Sequence, residues 1–585
     1  MIYSAIPLAQ TVIQLCKAKN LKHIVISPGS RNAPLTIGFT HDPFFKSYSI
    51  VDERCAAFFA LGMAQQLKEP VAVVCTSGSA LLNYYPAVAE AYYSNIPLVV
   101  LSADRPAHRV GIGDGQTINQ PDVFKNHILY SANLKLDVKE EHWHLASEAL
   151  PVFKTIEDKL DQVFHFQKST QDFNEAEINT ALNTVLVSNG PVHINIPLDE
   201  PLYNCVESLS VDPKVTEPES MNLEVDLETL EFCADDWNAA ERKLILVGVN
   251  GPNEVEQEYL NCLAEDESVI VFTETTSNIH HETFFPNIDK IITPLNEEEF
   301  EKLQPEILLT FGGLIVSKRI KAFLRKYKPK QHWHIGTEPA NDTFFCLNKH
   351  IKTTPNQFLK QFTKSITTVE SPYKPTWTYI KALRTTAHEA VLKSIPYSDL
   401  KVFATILPAL PKDSVLQLSN SATIRYTQLF NLDPSIAVFC NRGTSGIDGS
   451  TSTAIGCAAV NSKPTTLISG DLSFLYDSNG LWNNYIPDNF RVIVINNSGG
   501  GIFRILPGHK NTENFDYFFE TKHELSCKQL AEMYKFSYQA VSDEVSLQEA
   551  LESFFNKGAQ PKLLEIFTPS TVNDTVILDY FKALR

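Results

Sequence analysis

The sequence predicts an α/β protein built from three doubly wound parallel sheets in a row. Two observations carry that reading. Short continuous runs of β-branched and other apolar residues alternate with helical patterns, and such strands belong to parallel sheets covered on both faces. The 585 residues also exceed what one hydrophobic core holds, and the strands fall into three sets divided by polar segments.

The first set is HIVIS (23–27), YSIV (48–51), VAVVCTS (71–77), LVVLSAD (98–104) and VHINIP (192–197). A stretch rich in Asp, Glu and Pro follows over roughly 206–241 and reads as a solvated linker. The second set is KLILVGV (243–249), VIVFTE (269–274), ILLTFGG (307–313) and HWHIG (332–336), closed by SPYKPTW (371–377). The third is VLQLSN (415–420), IAVFCN (436–441), TTLISGD (465–471), RVIVINN (491–497) and KLLEIF (562–567). The expected domains are therefore 1–205, 206–370 and 371–585. ISPGSR (26–31) and LSNSATIR (418–425), each polar at a strand end, hint that the outer two domains are related.

Composition is that of an ordinary globular protein, 43% hydrophobic and 20% charged. A formal charge of -18 argues against non-specific nucleic-acid binding, while anionic small molecules remain compatible with local arginines. The ten cysteines form no CxxC pair or zinc-spaced cluster and read as reduced core residues. The N-terminal stretch lacks a signal-peptide pattern, and no apolar run approaches the ~18 residues of a membrane span. The expectation is a cytoplasmic protein with no membrane span.

In doubly wound sheets ligands sit outside the carboxyl ends of the strands, so the turns after the strands carry the chemistry. In YSIVDERCAAFFALGMA (48–64), Glu53 leads into a helix with no polar face. An acid in a first helical turn also complements the helix dipole, stabilising by about 0.3–1 kcal/mol, so this stretch alone leaves both readings open. In the third set Asp471 ends one strand of SGDLSFLYDSNG and Asn497 ends the next in VINNSGGGIF, with room between for one crossover helix and return. A carboxylate, an amide oxygen and a backbone carbonyl at Gly499 make a hard oxygen site suited to Mg²⁺ shared with phosphate, and the glycines at 499–501 let backbone amides approach. Neither VGVNGPNE (247–254) nor GIGDGQ (111–116) fits GxGxxG, and no GxxxxGK[ST] run occurs, so a hydride-transferring or P-loop enzyme has little support.

The Gly-Asp and Asn-Asn pair resembles the diphosphate and metal signature of thiamine diphosphate enzymes, with Leu472 where glycine is usual. That resemblance implies thiamine diphosphate with Mg²⁺ or Mn²⁺ held at Asp471, Asn497 and Gly499. It also implies that Glu53 meets N1′ of the aminopyrimidine, since burial favours the neutral carboxyl that can share a proton. A second layer, SPGSR (27–31), DER (52–54), TSGSA (76–80), SADRP (102–106), NRGTSGIDG (441–449), GDLSFLYD (470–477) and NNSGGGIFRILP (496–507), resembles the menaquinone-pathway 2-succinyl-5-enolpyruvyl-6-hydroxy-3-cyclohexene-1-carboxylate synthases over most of the chain. In that family GDLS is the expected form, so Leu472 and Ser473 fit.

The resemblance implies decarboxylation of 2-oxoglutarate and 1,4-addition of the remaining succinyl unit to isochorismate. It also implies three thiamine-fold domains, and active sites between chains of a homodimer or homotetramer. It places Ser30, Arg31, Arg105 and Gln116 at isochorismate, and Ser421, Arg425 and Arg442 at the donor. It further implies that Ile447 supports the bent cofactor and that Ile502, Phe503 and Leu506 wall the pocket. Guanidinium forks suit substrates with several carboxylates. Two departures stand out: Gly115 replaces an Asn of the family, and no clear counterpart of a central-domain lysine occurs around 288–300. Another thiamine diphosphate-dependent 2-oxoacid decarboxylase, or an acetohydroxyacid synthase-like carboligase, is the rival; a pyruvate enzyme has no further carboxylates for these arginines to hold.

Overall fold

The computed structural model describes residues 1–137, 156–219, 222–505 and 512–585. They form two compact units: Met1–Met221 with Ser452–Asn461 and Asn479–Ile486, and Asn222–Thr451 with Ser462–Ser478 and Pro487–Arg585.

The first unit holds a six-stranded parallel sheet. Across it the strands run Lys46–Ser49, His23–Ile26, Val71–Cys75, Leu98–Asp104, Val192–Pro197, Tyr130–Asn133. Its central strands are wholly buried because helices cover both faces. A two-stranded antiparallel ribbon pairs Tyr3–Ser4 with Cys205–Val206, so the boundary expected at 205/206 falls within a strand.

The helix Glu53–Leu67 begins at Asp52, whose carboxylate accepts the Cys55 N–H at 3.1 Å, as an N-cap does. Every residue from Cys55 to Ala64 is buried, which explains the missing polar face. The helix lies on Val71–Cys75 and His23–Ile26, beside the helix Tyr85–Ser94 and against the segment Ser452–Asn461. The last approach needs glycine on both sides. A Cβ on Gly62 would sit 2.0 Å from the Thr453 carbonyl oxygen, and one on Gly456 would sit 2.0 Å from that of Phe59.

The second unit holds a five-stranded and a six-stranded parallel sheet. The five-stranded sheet runs Val269–Thr273, Lys243–Val247, Ile307–Phe311, Gln331–Ile335, Lys349–Ile351, a flavodoxin-like order. The six-stranded sheet runs Ala437–Cys440, Val415–Leu418, Thr465–Gly470, Phe490–Asn496, Lys562–Phe567, Ser537–Val541. Numbered along the chain, that is the same 2-1-3-4-6-5 order as in the first unit. The likeness between ISPGSR and LSNSATIR thus has a topological counterpart: both follow the first strand of a sheet.

The helix Leu227–Ala239 occupies the end of the expected linker, whose solvated part stops before it. The helix Tyr373–Ser394 buries Tyr373, Trp377 and Ile380 in the core of the five-stranded sheet, and packs Ala387, Val391 and Leu392 on the core of the six-stranded sheet. The boundary expected at 370/371 therefore lies inside one compact unit, just before a helix that serves two cores.

Candidate active site

In the first unit Glu53 is the first residue of its helix and only partly buried. It lies near the carboxyl end of Val71–Cys75. Burial pushes the Cys75 thiol and the Tyr84 phenol well above their ordinary values, and the charge of Glu53 adds to both shifts.

The expected isochorismate residues follow the strands of this sheet. Ser30 is exposed in the loop after His23–Ile26. Arg31 is buried, donating to the Leu198 carbonyl at 3.0 Å and to Glu200 Oε1 at 3.0 Å. Arg105 follows Leu98–Asp104; its backbone N–H donates to Asp104 Oδ1 at 2.7 Å, and its buried Nε has no partner among the described residues. Gln116 is exposed with φ +55°, and its carbonyl accepts the Ser77 hydroxyl at 2.9 Å.

Beneath this rim runs a buried polar network that no motif announced. Asn195 donates to Asp104 Oδ2 at 2.9 Å, Gln120 donates to Asn195 Oδ1 at 2.8 Å, and Ser102 pairs with His193 at 2.7 Å. Burial raises the Asp104 pKa and drives that of His193 down to about 3, so His193 is neutral.

In the second unit the parallel register of Thr465–Gly470 and Phe490–Asn496 pairs Gly470 with Ile495, so Asp471 and Asn497 leave the sheet at the same rim. Asp471 is buried at the start of the helix Asp471–Tyr476. Its oxygens accept the N–H of Leu472 at 2.7 Å and of Gly499 at 2.9 Å. Gly499 adopts φ +147°, and a Cβ there would lie 2.5 Å from the Glu520 carbonyl oxygen, so only glycine fits this turn. Asn497 donates its amide to Asp399 Oδ2 at 2.9 Å, while its buried Oδ1 has no partner among the described residues. Burial pushes the Asp399 carboxyl up to about 6, with hydrogen bonds from Thr568 and Asn497 acting the other way and Asp471 adding to the rise. Nε2 of His523 stands 3.2 Å from Asp471 Oδ2, a charge contact without aligned hydrogen-bond geometry, and the carboxylate holds the imidazole above its ordinary pKa.

Among the described residues no group of three or more His, Cys, Asp or Glu side chains forms a metal cage. One carboxylate with an orphaned amide oxygen is instead the donor set of a Mg²⁺ site completed by phosphate, so these residues fit the implied ion. Among the described residues the Gly499 carbonyl accepts the Gly501 N–H alone, at 3.1 Å, which leaves it a lone pair.

Ser473 donates to the Ile447 carbonyl at 2.7 Å, tying the Asp471 helix to the SGIDG loop, where the Ile447 side chain is exposed. Ser421 adopts φ +70° before the helix Ala422–Thr427, which carries Arg425. Arg442 donates to Asn420 Oδ1 at 2.5 Å, and the buried Nε of both arginines lacks a partner among the described residues. Ile502 is partly buried and Phe503 exposed; Leu506 lies outside the described residues.

The five-stranded sheet also contributes charge to this rim. Asp289 acts on Arg425, and the ammonium of Lys321 is lowered by burial, raised by Glu274 and lowered by Arg442. Lys321, on the helix Lys318–Lys326 and outside the 288–300 stretch, is thus a lysine within electrostatic reach of Arg442. Glu274 is fully buried; it accepts the N–H groups of Val316 and Ser317, both at 2.7 Å, and burial lifts its carboxyl to about 7. Among the described residues no helix is long and apolar enough to cross a membrane.

Two family models match the chain: thiamine pyrophosphate enzyme, N-terminal TPP binding domain, over residues 6–126, and thiamine pyrophosphate enzyme, C-terminal TPP binding domain, over residues 421–566. These stretches carry Glu53 and the Asp471–Asn497 rim. Relatives named 2-succinyl-5-enolpyruvyl-6-hydroxy-3-cyclohexene-1-carboxylate synthase include that of Flavobacterium psychrophilum, 56% identical over all of both chains. That of Christiangramia forsetii is 55% identical over all of both chains, and that of Porphyromonas gingivalis is 36% identical over 97% of this chain and 96% of its own. The chain therefore belongs to the 2-succinyl-5-enolpyruvyl-6-hydroxy-3-cyclohexene-1-carboxylate synthase family of thiamine diphosphate-dependent enzymes.

Proposed function

We propose that the chain decarboxylates 2-oxoglutarate and adds the remaining succinyl semialdehyde unit 1,4 to isochorismate. The products are 2-succinyl-5-enolpyruvyl-6-hydroxy-3-cyclohexene-1-carboxylate and CO₂, in menaquinone biosynthesis. Bound thiamine diphosphate supplies the electron sink that lets a 2-oxoacid lose CO₂ and its remainder act as a nucleophile. Glu53 exchanges a proton with N1′ of the aminopyrimidine, and Ile447 supports the ring system. Asp471, Asn497 and the Gly499 carbonyl hold Mg²⁺, with Mn²⁺ as a substitute, while Leu472, Ser473, Ile502 and Phe503 line the cofactor.

Ser421, Arg425 and Arg442 bind the donor carboxylate; Ser30, Arg31, Arg105 and Gln116 receive isochorismate. The observation that carries this division is the buried Nε of Arg105 after Leu98–Asp104, of Arg425 on the helix Ala422–Thr427 and of Arg442 after Ala437–Cys440, each without a partner among the described residues. Such groups are costly to leave unpaired and suit anionic substrates with several carboxylates. A pyruvate enzyme would not need them.

The reading extends to a cytoplasmic homodimer or homotetramer in which Glu53 of one chain serves the metal rim of another, and to a pyrimidine-binding domain at 1–205, a central domain at 206–370 and a diphosphate-binding domain at 371–585. CO₂ release from 2-oxoglutarate and from pyruvate, with thiamine diphosphate and Mg²⁺ saturating, tests the substrate assignment. Preference for 2-oxoglutarate, with sustained turnover only when isochorismate is present, is expected. Equal use of pyruvate would favour a simpler decarboxylase.

A further inference from the structure

The two consecutive asparagines at the end of the strand Phe490–Asn496 are each gripped by a different buried carboxylate. Asn496 donates to Glu565 Oε1 at 2.8 Å and to the Leu525 carbonyl at 2.9 Å, and its Oδ1 accepts the Ser498 N–H at 3.1 Å. Both ends of that amide are committed to the protein. Asn497 donates to Asp399 Oδ2 at 2.9 Å, and its Oδ1, equally buried, is left without a partner among the described residues. Asp399 in turn is fixed from the other side, accepting the Thr568 hydroxyl at Oδ1 over 2.6 Å, while its own N–H donates to Asn573 Oδ1 at 2.8 Å.

An asparagine amide has two nearly isosteric ends, one a donor and one an acceptor. Only the oxygen can bind a cation. A carboxylate that accepts on both oxygens can face only the NH₂ end, so its position decides which end of Asn497 reaches the rim.

We infer that Asp399 is a positioning residue of the metal site, which selects the amide orientation of Asn497 and so presents Oδ1, not Nδ2, to the divalent cation. The inference rests on the proposed metal site at Asp471 and Asn497. Outer partners that orient a ligand typically change metal affinity about 10–100-fold when removed.

The test is calorimetric titration of Mg²⁺ into the whole protein at saturating thiamine diphosphate. Asp399→Leu keeps the branched heavy-atom shape but removes the acceptor, so the amide of Asn497 is free to turn; Mg²⁺ affinity is expected to fall about 10–100-fold. Asp399→Asn is the conservative control. Its NH₂ can face the Thr568 hydroxyl, which accepts as readily as it donates, and its oxygen can face Asn497, so affinity is expected to stay within about threefold of wild type. A purely structural role predicts the reverse readout, a lowered unfolding midpoint of the metal-free protein with unchanged Mg²⁺ affinity in Asp399→Leu. That result, or equal loss in both variants, would overturn the proposal. Asp471→Ala and Asn497→Ala, titrated in parallel, separate the two levels. If they bind Mg²⁺ like wild type, the metal site itself is misplaced. If they lose it while Asp399→Leu does not, only the positioning role fails.

Discussion

Arg31 and Glu200 form an ion pair at 3.0 Å that joins the loop after the first strand of the amino-terminal sheet to the loop after Val192–Pro197. The guanidinium is buried and also anchored on the Leu198 carbonyl, whereas the Glu200 side chain is 57% exposed. If Arg31 receives a carboxylate of isochorismate as proposed, that group shares the guanidinium with an anion already in place. Glu200→Gln removes that competing charge and keeps a neutral acceptor, so the KM for isochorismate is expected to fall a few fold with kcat little changed. Arg31→Ala is expected to raise it. Steady-state titration of isochorismate at saturating 2-oxoglutarate measures both, and a KM raised by Glu200→Gln would mean that the glutamate itself helps bind the acceptor.

Arg105→Ala is expected to weaken acceptor capture by about 2–5 kcal/mol while sparing the donor half-reaction. The residue stands at the end of a fully buried strand, with a buried Nε lacking a protein partner among the described residues. Single-turnover CO₂ release from 2-oxoglutarate, set beside the isochorismate titration, reads the two halves separately. Equal slowing of both would place Arg105 at the donor or in the framework.

Glu53→Gln is expected to bind thiamine diphosphate nearly as well as wild type and to lose about 10²- to 10⁴-fold in turnover, because an amide cannot pass a proton to N1′. If Glu53 and the Asp471 rim of different chains build one site, mixing Glu53→Gln protein with Asp471→Ala protein restores part of the activity through hybrid sites. Failure to recover, once subunit exchange has been demonstrated by native mass spectrometry, would place both residues of a site in one chain.

Gly62→Ala is expected to destabilise the first unit by about 1–3 kcal/mol, since the added carbon meets the Thr453 backbone carbonyl rather than a flexible side chain, and the backbone must shift to admit it. Thermal unfolding gives the shift, and Gly456→Ala should behave alike. Gly470→Ala is a matched control, because nothing lies within 4 Å of a Cβ built there. Unchanged unfolding of Gly62→Ala would show that the two helices separate at little cost.

The strands that the sequence announces most clearly are those buried on both faces, whereas YSIV marks only an edge strand that the structure places at Lys46–Ser49. VAVVC, LVVLSAD and VHINIP are unbroken apolar or β-branched runs, and all three lie in the middle of their sheet. The edge strands Tyr130–Asn133 and Ser537–Val541 escape such reading for a physical reason. Each pairs on one side only and keeps most residues partly or fully exposed, so YSAN and SYQAV carry no continuous apolar signal. The solvated linker is shorter than the 206–241 expected, because LETLEFCADDWNA spaces its apolar residues among acids and forms a helix that buries Leu230, Cys233, Ala234 and Trp237.

The candidate residues divide along the same line. Glu53, Asp471, Asn497 and the arginines lie in the turns or short helix starts that follow strands, and their motifs are local. Asp399 and Thr568 reach the Asn497 turn from distant parts of the chain, and no local pattern marks them. Glu565 did leave a trace: a carboxylate in the middle of KLLEIF, fully buried, needs donors, and it receives them from Asn496, Ser526, Cys527 and Tyr538.

The most direct measurement of the account is the mass of the product formed when the purified protein, thiamine diphosphate and Mg²⁺ are incubated with 2-oxoglutarate and isochorismate together. The account predicts a single new species with the combined mass of isochorismate and succinic semialdehyde, absent when either substrate is omitted and absent with Glu53→Gln. Release of free succinic semialdehyde with isochorismate left unconsumed would contradict it, for the arginines of the first sheet would then hold no acceptor.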